Sequence, residues 1–147
     1  MATLEGICYR TTSRAPMREL HGCAVTADGG VADDFRGAPG KRQVTVLSLE
    51  SWQEACAAAG AELPWTMRRA NLLVSGLRFD RSQVGKTLKI GDLELLITRE
   101  TDPCRRMEES HPGLLAALQP DWRGGVCCRV VAPGPIAVGD AVTVLDP

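Results

Sequence analysis

Cys104 is the residue of this sequence whose neighbours most favour chemistry at a side chain. It stands in residues 101–106 (TDPCRR), where Asp102-Pro103 is typical of a helix start, with Asp as the N-cap and Pro at the first helical position. This pattern predicts Cys104 in the first turn of the helix, where backbone N–H groups and the two following arginines favour a thiolate. A thiolate can attack sulfur, hold a persulfide or ligate a soft metal such as molybdenum. The alternative interpretation is a cysteine buried as a small hydrophobic residue.

Arginine outnumbers lysine by 14 to 3, and several arginines stand beside the segments that could carry chemistry. Arginine binds phosphates and carboxylates through two parallel hydrogen bonds, so these residues are candidates for binding an anionic ligand. A GC-rich genome would produce the same excess without any functional cause. The arginines concerned are Arg68, Arg69, Arg105, Arg106 and Arg123.

The other five cysteines form no pattern that indicates a metal site or a disulfide framework. There is no C-x-x-C pair, and His21 and His111 do not stand near cysteines at zinc-finger spacing. The adjacent pair Cys127 and Cys128 lies in a predicted strand, where neighbouring side chains point to opposite faces. One of the two is therefore expected in the core and the other at the surface or in a cleft.

Length and composition predict one globular domain over residues 1–147, since 44% of the residues are hydrophobic and 24% are charged. No apolar run approaches the roughly 20 residues that a membrane-spanning helix needs, and the first residues do not resemble a secretory signal. A cytoplasmic location with reduced thiols is the resulting expectation. The net charge of −1 disfavours sequence-independent binding of nucleic acid. We expect neither a nucleic acid nor a membrane as a partner.

The elements that must position these residues are mostly short strands separated by Gly, Pro and Asp turns. The alternating, β-branched residues 43–49 (QVTVLSL) predict a strand, and Gly91-Asp92 predicts a hairpin between residues 87–90 and 93–98. Further strands are predicted over residues 6–10, 22–26, 71–75, 126–131 and 141–145.

Two helices are predicted, over residues 50–59 with Ser48 as N-cap and Gly60 as the stop, and over residues 112–118. Seven or eight short strands with so few helices favour a mainly β fold, a closed or nearly closed barrel. Residues 28–41 form the one long loop, and long loops in compact domains are often functional.

Four stretches, in their order and spacing, resemble the MOSC family, the domain named after molybdenum-cofactor sulfurases, in its small stand-alone type. They are residues 40–52 (GKRQVTVLSLESW), 68–77 (RRANLLVSGL), 84–107 (VGKTLKIGDLELLITRETDPCRRM) and 123–142 (RGGVCCRVVAPGPIAVGDAV). The Arg-x-Asn-Leu strand, the Gly-x-x-Leu-x-Ile-Gly-Asp hairpin, the Pro-Cys pair and the terminal Val-Gly-Asp together carry the resemblance, which covers most of the chain.

This resemblance implies a MOSC-type β-barrel that binds the molybdenum cofactor (molybdopterin) or handles sulfur destined for it. The reactive cysteine of the family falls on Cys104. In sulfurase relatives that cysteine relays sulfur, and in reductases of N-hydroxylated compounds it ligates molybdenum. The Arg-x-Asn motif falls on Arg69 and Asn71. Arg69, supported by Arg68 or Arg105, would pair with a cofactor phosphate, and Asn71 would hydrogen-bond the pterin or hold the loop.

Two departures from the family pattern affect the expected function. Many relatives carry a His-Gly-Gly segment where this chain has residues 34–40 (DFRGAPG), so the role of that histidine is absent or falls to Arg36. No pyridoxal-binding desulfurase region is visible either, so sulfur would have to come from a partner such as a cysteine desulfurase. A reductase would need an electron-transfer protein instead.

Three functions remain open from the sequence. The first is a cofactor-binding or sulfur-carrier domain that acts through Cys104. The second is a molybdenum-dependent reductase of N-hydroxylated compounds. The third is a non-catalytic module that delivers cofactor or docks a partner, in which case Cys104 would be dispensable.

Overall fold

The structure, a computed structural model, describes residues 1–147 and is built from eleven strands and three short helices. The strands are β1 (Ala2–Tyr9), β2 (Arg18–Leu20), β3 (Gly22–Thr26), β4 (Gly30–Val31), β5 (Val44–Ser48), β6 (Leu72–Ser75), β7 (Thr87–Ile90), β8 (Leu93–Glu100), β9 (Val126–Ala132), β10 (Gly134–Ala137) and β11 (Ala141–Leu145). The helices are α1 (Leu49–Ala59), α2 (Arg105–Ser110) and α3 (Leu114–Leu118), with 3-10 turns at Trp65–Arg68, Arg81–Gln83 and Pro120–Trp122. None of the helices has the length and apolar character that a bilayer crossing requires.

Seven strands close into a barrel in the order β11, β7, β8, β9, β5, β6, β1, and pairing of β1 with β11 completes the ring. All neighbours are antiparallel except β5 and β6, which are parallel and are connected through α1. Strand β2 adds to the outer side of β1, and β10, β3 and β4 form a separate three-stranded sheet. The predicted mainly β, closed barrel is confirmed.

The barrel interior is filled by side chains that alternate along each strand. In β8, Leu93, Leu95 and Ile97 are fully buried while the residues between them are partly exposed, and Leu88 of β7 packs into the same core. The opposite faces of β5 and β6 form a second core with the helices, which includes Leu47, Trp52, Met107, Leu114 and Leu118. The helices therefore cover one side of the barrel.

Helix α1 begins and ends where its local sequence predicts. The Ser48 side chain accepts a hydrogen bond from the backbone N–H of Ser51, and Gly60 adopts a left-handed conformation with φ of 77°. The backbone N–H of Gly60 donates to the carbonyls of Cys56 and Ala57. The predicted helix over residues 50–59 is thus confirmed, together with both of its ends.

The predicted helix start at Asp102-Pro103 is wrong by two residues. Cys104 is itself the N-cap of α2, with extended backbone (φ −122°, ψ 176°). Residues 101–103 are held out of the helix because the N–H of Thr101 donates to the carbonyl of Gly125 (2.9 Å). Tertiary hydrogen bonding at Thr101 thus takes precedence over the local capping signal at Asp102.

Three further details differ from the predictions. The helix expected over residues 112–118 begins only at Leu114, because Gly113 is in the left-handed region (φ 87°). Residues 134–137, for which no strand is predicted, form β10, which pairs with β3. The predicted long loop over residues 28–41 also contains the two-residue strand β4.

Candidate functional site at an arginine-lined cavity

A cavity of about 490 Å³ opens where the end of β1, the loop after β4, the 3-10 turn before β6 and the start of α2 meet. Cys104 lies in its wall, and the two carboxylates that line it are those of Asp34 and Asp102. Six arginines line the same cavity: Arg10, Arg36, Arg42, Arg68, Arg69 and Arg106. The excess of positive charge favours an anionic ligand in this cavity.

The charged residues that line the cavity form two groups. Arg68 interacts electrostatically with Cys104, Arg42 and Asp102, although burial is the main reason that the pKa of its guanidinium is lowered. Burial, followed by the charge of Arg69, lowers the pKa of Arg10, and Asp34, Arg36 and Arg106 also act on Arg10. Arg68 therefore interacts with the thiol, whereas Arg10 interacts with three further arginines. We call Arg10, Arg36, Arg69 and Arg106 the arginine cluster.

Cys104 is the cysteine that solvent reaches most readily. Its side chain is exposed and makes no capping hydrogen bond, whereas Cys8, Cys56, Cys127 and Cys128 are buried and Cys23 is half-buried. Burial, with a smaller contribution from Glu19, raises the pKa of Cys8 to about 12. Burial also raises the pKa of Cys23, Cys56 and Cys128. These four thiols stay protonated near neutral pH, which leaves Cys104 as the accessible nucleophile or soft ligand.

The Cys127–Cys128 pair does not contribute an exposed thiol. Both side chains are fully buried, Cys128 in the barrel core and Cys127 at 3.3 Å from the hydroxyl of Thr101. The expectation that one of the two reaches the surface or a cleft is therefore wrong. Cys127 packs beneath the segment that carries Cys104 instead of opening into the cavity.

Arg68 holds the Cys104 segment in place. Its Nη2 donates to the carbonyl of Thr101 (3.0 Å) and its Nε donates to the carbonyl of Gly124 (3.1 Å), while only 8% of the residue is exposed. A Cβ on Gly124 would lie 2.5 Å from the Thr101 oxygen and 3.1 Å from Arg68 Nη2, so this close approach requires glycine. Arg68 lines the cavity, as the sequence suggests, but its Nε and Nη2 donors are committed to the protein backbone.

Arg69 and Asn71, the two residues of the Arg-x-Asn motif, differ in what they offer to a ligand. Arg69 Nη2 donates to the carbonyl of Ala15 (2.6 Å), while its buried Nε has no partner. Asn71 Nδ2 donates to the carbonyl of Cys8 (3.2 Å), and its Oδ1 accepts from the N–H of Thr45 (3.0 Å). Arg69 thus keeps a free donor, whereas the Asn71 side chain joins β1 to β5 just before β6 begins. Two roles are expected for Asn71, hydrogen-bonding the pterin or holding the loop. Its hydrogen bonds to the protein backbone support the structural role.

Two of the arginines that the sequence suggests lie outside the cavity. Arg105 is exposed on α2, and it is the next residue, Arg106, that turns towards the cavity, since consecutive helical residues point in different directions. Arg123 donates through Nη1 to the carbonyl of Ala117 (3.0 Å), and its Nε lies 3.7 Å from Glu54. Arg36 lines the cavity. This agrees with its place in residues 34–40, where many relatives carry the His-Gly-Gly segment.

Asp34 is a residue of the cavity that the sequence by itself does not single out. Only 9% of it is exposed, and its carboxylate accepts from the backbone N–H of Arg10 (2.8 Å) and of Arg36 (3.0 Å). The carboxylate therefore fixes two residues of the arginine cluster next to each other. Its neighbour Asp33 is exposed, so no local pattern distinguishes the two. Arg10 and Arg42 are likewise missed because nothing in their own segments marks them.

Comparison with known families and structures agrees with this architecture. The family model described as MOSC domain matches residues 19–143. No curated protein matches the chain significantly in sequence.

Solved structures with the same fold cover nearly the whole chain. The YuaD protein from Bacillus subtilis has a TM-score of 0.83 at 20% identity, covering 100% of this chain and 97% of that one. YiiM from Geobacillus stearothermophilus has a TM-score of 0.80 at 16% identity, with 99% and 76% covered. YiiM from Escherichia coli has a TM-score of 0.73 at 16% identity, with 99% and 70% covered. At these identities the likeness shows the fold.

Proposed function

Since the chain belongs to the MOSC domain family, which is associated with molybdenum cofactor binding, we propose that it binds a molybdopterin-type cofactor in the arginine-lined cavity. The observation that supports this most directly is one exposed thiol, Cys104, in the same cavity as six arginines. The cofactor would lie with its phosphate at the arginine cluster and its metal end towards Cys104.

The residues present fit such a cofactor better than a free metal ion. No group of three or more His, Cys, Asp or Glu side chains is placed to hold a metal. Cys104 is the one thiol that lines the cavity, so a metal retained here must bring most of its own ligands. When bound, a molybdopterin-type cofactor would supply molybdenum already held by the sulfurs of the pterin, with its redox chemistry.

The arginine cluster fits the phosphate of the cofactor. Arg69 Nε is buried without a partner, and an unsatisfied buried donor costs about 1–3 kcal/mol that a phosphate oxygen can recover. Arg10, Arg36 and Arg106 line the same cavity. The backbone N–H groups of Arg10 and Arg36 both donate to the Asp34 carboxylate, so the backbone at these two residues is in position before any ligand arrives, which reduces the entropy lost on binding.

A molybdenum measurement tests this function. The protein is purified from cells that make the cofactor, and metal content is measured for wild type, Cys104→Ala and the control Cys23→Ala, which removes a half-buried thiol outside the cavity. We expect Cys23→Ala to retain the wild-type content and Cys104→Ala to lose about tenfold or more, as expected when a metal site loses a needed contact. Equal metal in wild type and Cys104→Ala removes Cys104 as a ligand, and no metal in wild type contradicts the proposal.

The exposed position of Cys104 also favours a sulfur-carrier role within the same proposal. A donor persulfide can approach the thiol from solvent, and the Cys104 thiolate would attack its outer sulfur. The donor S–S bond breaks, the donor leaves as a thiolate, and Cys104 becomes a persulfide, so the transfer requires no external oxidant. A cysteine desulfurase is the class of partner that supplies such a persulfide.

Mass spectrometry after incubation with a cysteine desulfurase and cysteine tests this role. We expect wild type and Cys23→Ala to gain one sulfur atom on Cys104, and Cys104→Ala to gain none. Sulfur spread over several cysteines, or none on wild type, contradicts the carrier role while leaving metal ligation by Cys104 untouched.

A further inference from the structure

Positive charge extends from the cavity of Cys104 onto the outside of the protein. A shallow depression of about 430 Å³ adjoins the cavity, and Arg36 and Arg42 line both. Lys41 and Arg99 line the depression alone, and no Asp or Glu side chain lines it. We call Arg36, Lys41, Arg42 and Arg99 the basic surface.

The charges of the basic surface are not neutralised within the protein. All four residues are exposed, and none of them takes part in an ion pair. Elsewhere on the protein Arg78, Lys86 and Arg123 each pair with a carboxylate of Glu54 or Asp146. The net charge of the chain is only −1, so the basic surface is a local concentration of positive charge. Such a concentration favours a negatively charged partner.

The backbone that carries these charges is fixed by hydrogen bonds to the barrel. Thr98 Oγ1 donates to the carbonyl of Lys41 (2.6 Å), which attaches the segment before β5 to β8, and Arg99 follows Thr98 in β8. The carbonyl of Gly37, next to the first arginine of the surface, accepts from the amide of Gln43 (2.9 Å). The backbone at the basic surface is therefore in position before a partner arrives, which reduces the entropy lost on docking.

The shape of the basic surface suits a protein better than a small anion. Pockets for small molecules bury most of the ligand, whereas this depression is shallow and Ala38 is its only apolar side chain. Phe35, the neighbour of Arg36, is 48% exposed, and its ring centre lies 5.8 Å from Cζ of Arg10. An exposed aromatic ring among arginines is typical of protein–protein interfaces. A track for single-stranded nucleic acid requires several such rings, and Phe35 is the only exposed aromatic residue.

A partner that sits on the basic surface also reaches Cys104. Arg36 and Arg42 belong to the wall of the cavity that contains this exposed thiol. Two carboxylates oppose an acidic partner there, those of Asp34 and Asp102. Only 9% of Asp34 is exposed, so the exposed carboxylate of Asp102 is the one that meets the partner directly, against six arginines. The charge that faces the partner is therefore positive.

We propose that the basic surface docks an acidic protein that transfers sulfur to Cys104. This rests on the proposed sulfur-carrier role for the group that is transferred. In the docked complex the Cys104 thiolate attacks the outer sulfur of the partner's persulfide. The partner's S–S bond breaks, the partner leaves as a thiolate, and Cys104 holds the persulfide. The basic surface brings the two proteins together in the correct orientation and takes no part in this exchange of bonds.

Thiol–disulfide exchange with two peptide probes tests the proposal on protein prepared without the cofactor. Each peptide carries one cysteine as a mixed disulfide with thionitrobenzoate, flanked by Glu residues in the first peptide and by the same number of Gln residues in the second. Attack by Cys104 releases thionitrobenzoate, whose absorbance gives the second-order rate constant. The rate of Cys104→Ala is subtracted to remove reaction at the other cysteines. The Glu peptide reproduces an acidic surface around a donor cysteine.

The double variant Lys41→Ala/Arg99→Ala removes the two charges of the basic surface that lie outside the cavity. Its control is Arg18→Ala/Lys89→Ala, the same change in net charge at residues that line neither the cavity nor the depression. At low salt we expect wild type and control to react about tenfold faster with the Glu peptide than with the Gln peptide. Lys41→Ala/Arg99→Ala should react about fivefold more slowly than wild type with the Glu peptide and equally fast with the Gln peptide. At about 1 M salt, where the Debye length is about 3 Å, the preference for the Glu peptide should vanish.

Equal rate constants for the two peptides in wild type, or equal losses in the two double variants, would overturn the proposal. The same holds if Lys41→Ala/Arg99→Ala slows both peptides equally, because the effect would then be on the reactivity of the thiol itself. A single-stranded oligonucleotide that blocks the exchange more strongly than a cysteine-free Glu peptide of the same net charge would assign the basic surface to nucleic acid instead.

Failure of this proposal and failure of the proposed function give different results. The peptides require only a free thiol at Cys104, so a protein that gains no sulfur from a cysteine desulfurase loses the carrier role and can still prefer the Glu peptide. Conversely, a protein that gains sulfur on Cys104 but reacts equally with both peptides keeps the carrier role and has no acidic partner at the basic surface.

Discussion

Replacing Arg68 with methionine is expected to lower the free energy of unfolding by about 3–4 kcal/mol, because two hydrogen bonds from a charged donor are lost. Arg68 bridges the carbonyls of Thr101 and Gly124 at 3.0 and 3.1 Å, and methionine fills similar space without donating to either. Removal of a buried charge also relieves desolvation, which offsets part of the loss. The net change in the free energy of unfolding remains a loss, because two buried carbonyls are left without partners.

Arg68→Lys and Arg42→Met are the matched variants for this prediction. Lysine keeps the charge but cannot span both carbonyls with a planar fork, so an intermediate loss of about 1–2 kcal/mol is expected. Arg42 lines the same cavity, is exposed and makes no hydrogen bond through its side chain, so Arg42→Met should change stability by less than about 0.5 kcal/mol.

Urea unfolding, analysed with a constant m-value, gives the free energy of unfolding of wild type and of the three variants. If Arg68→Met is as stable as Arg42→Met, the bridge contributes no net stability. The Cys104 segment would then be held by other contacts.

Replacing Gln43 with leucine is expected to cost about 3–5 kcal/mol, since three backbone groups, those of Gly37 and Val130 buried and that of Ala27 part-buried, lose their only side-chain partner. Gln43 is 1% exposed, its Nε2 donates to the carbonyls of Ala27 (2.7 Å) and Gly37 (2.9 Å), and its Oε1 accepts from the N–H of Val130 (2.9 Å). The amide thereby joins both ends of the loop that carries Asp34 to the barrel wall. Leucine has a similar volume, so the loss reports hydrogen bonding and not a cavity.

The control is Gln53→Leu, the same substitution at an exposed position of α1, which should stay within about 0.5 kcal/mol of wild type. Hydrogen exchange provides a second measurement, since residues 28–37 should exchange faster in Gln43→Leu while β7 and β8 keep their protection. Unchanged exchange in the loop, or equal stability of the two variants, would show that water replaces the amide at no cost.

Residues 48–60 and the hairpin of β7 and β8 show how much local sequence can predict. Ser48 and Gly60 end α1 through contacts within the helix itself, and Gly91-Asp92 closes the hairpin with strands at Thr87–Ile90 and from Leu93 onwards. These signals depend on neighbours within a few residues. Their prediction therefore does not require knowledge of the fold.

Residues 101–106 show why local signals fail. Asp102-Pro103 has the composition of a helix start, but the bonds of Thr101 to Gly125 and Arg68 keep the backbone extended as far as Cys104. Their partners lie 24 and 33 residues away in the chain. No capping rule contains that information.

For this protein the sequence alone was sufficient to predict most strands of the barrel, its closure and the family, and it marked Cys104 as the candidate among six cysteines. Only the tertiary structure decided which charges accompany that thiol. Arg10, Arg36, Arg69 and Arg106 come from four separate segments, and Asp34 is chosen over Asp33 by burial. Periodicity and capping are short-range properties of a chain, whereas a binding cavity is formed where distant segments meet, so its composition follows from packing.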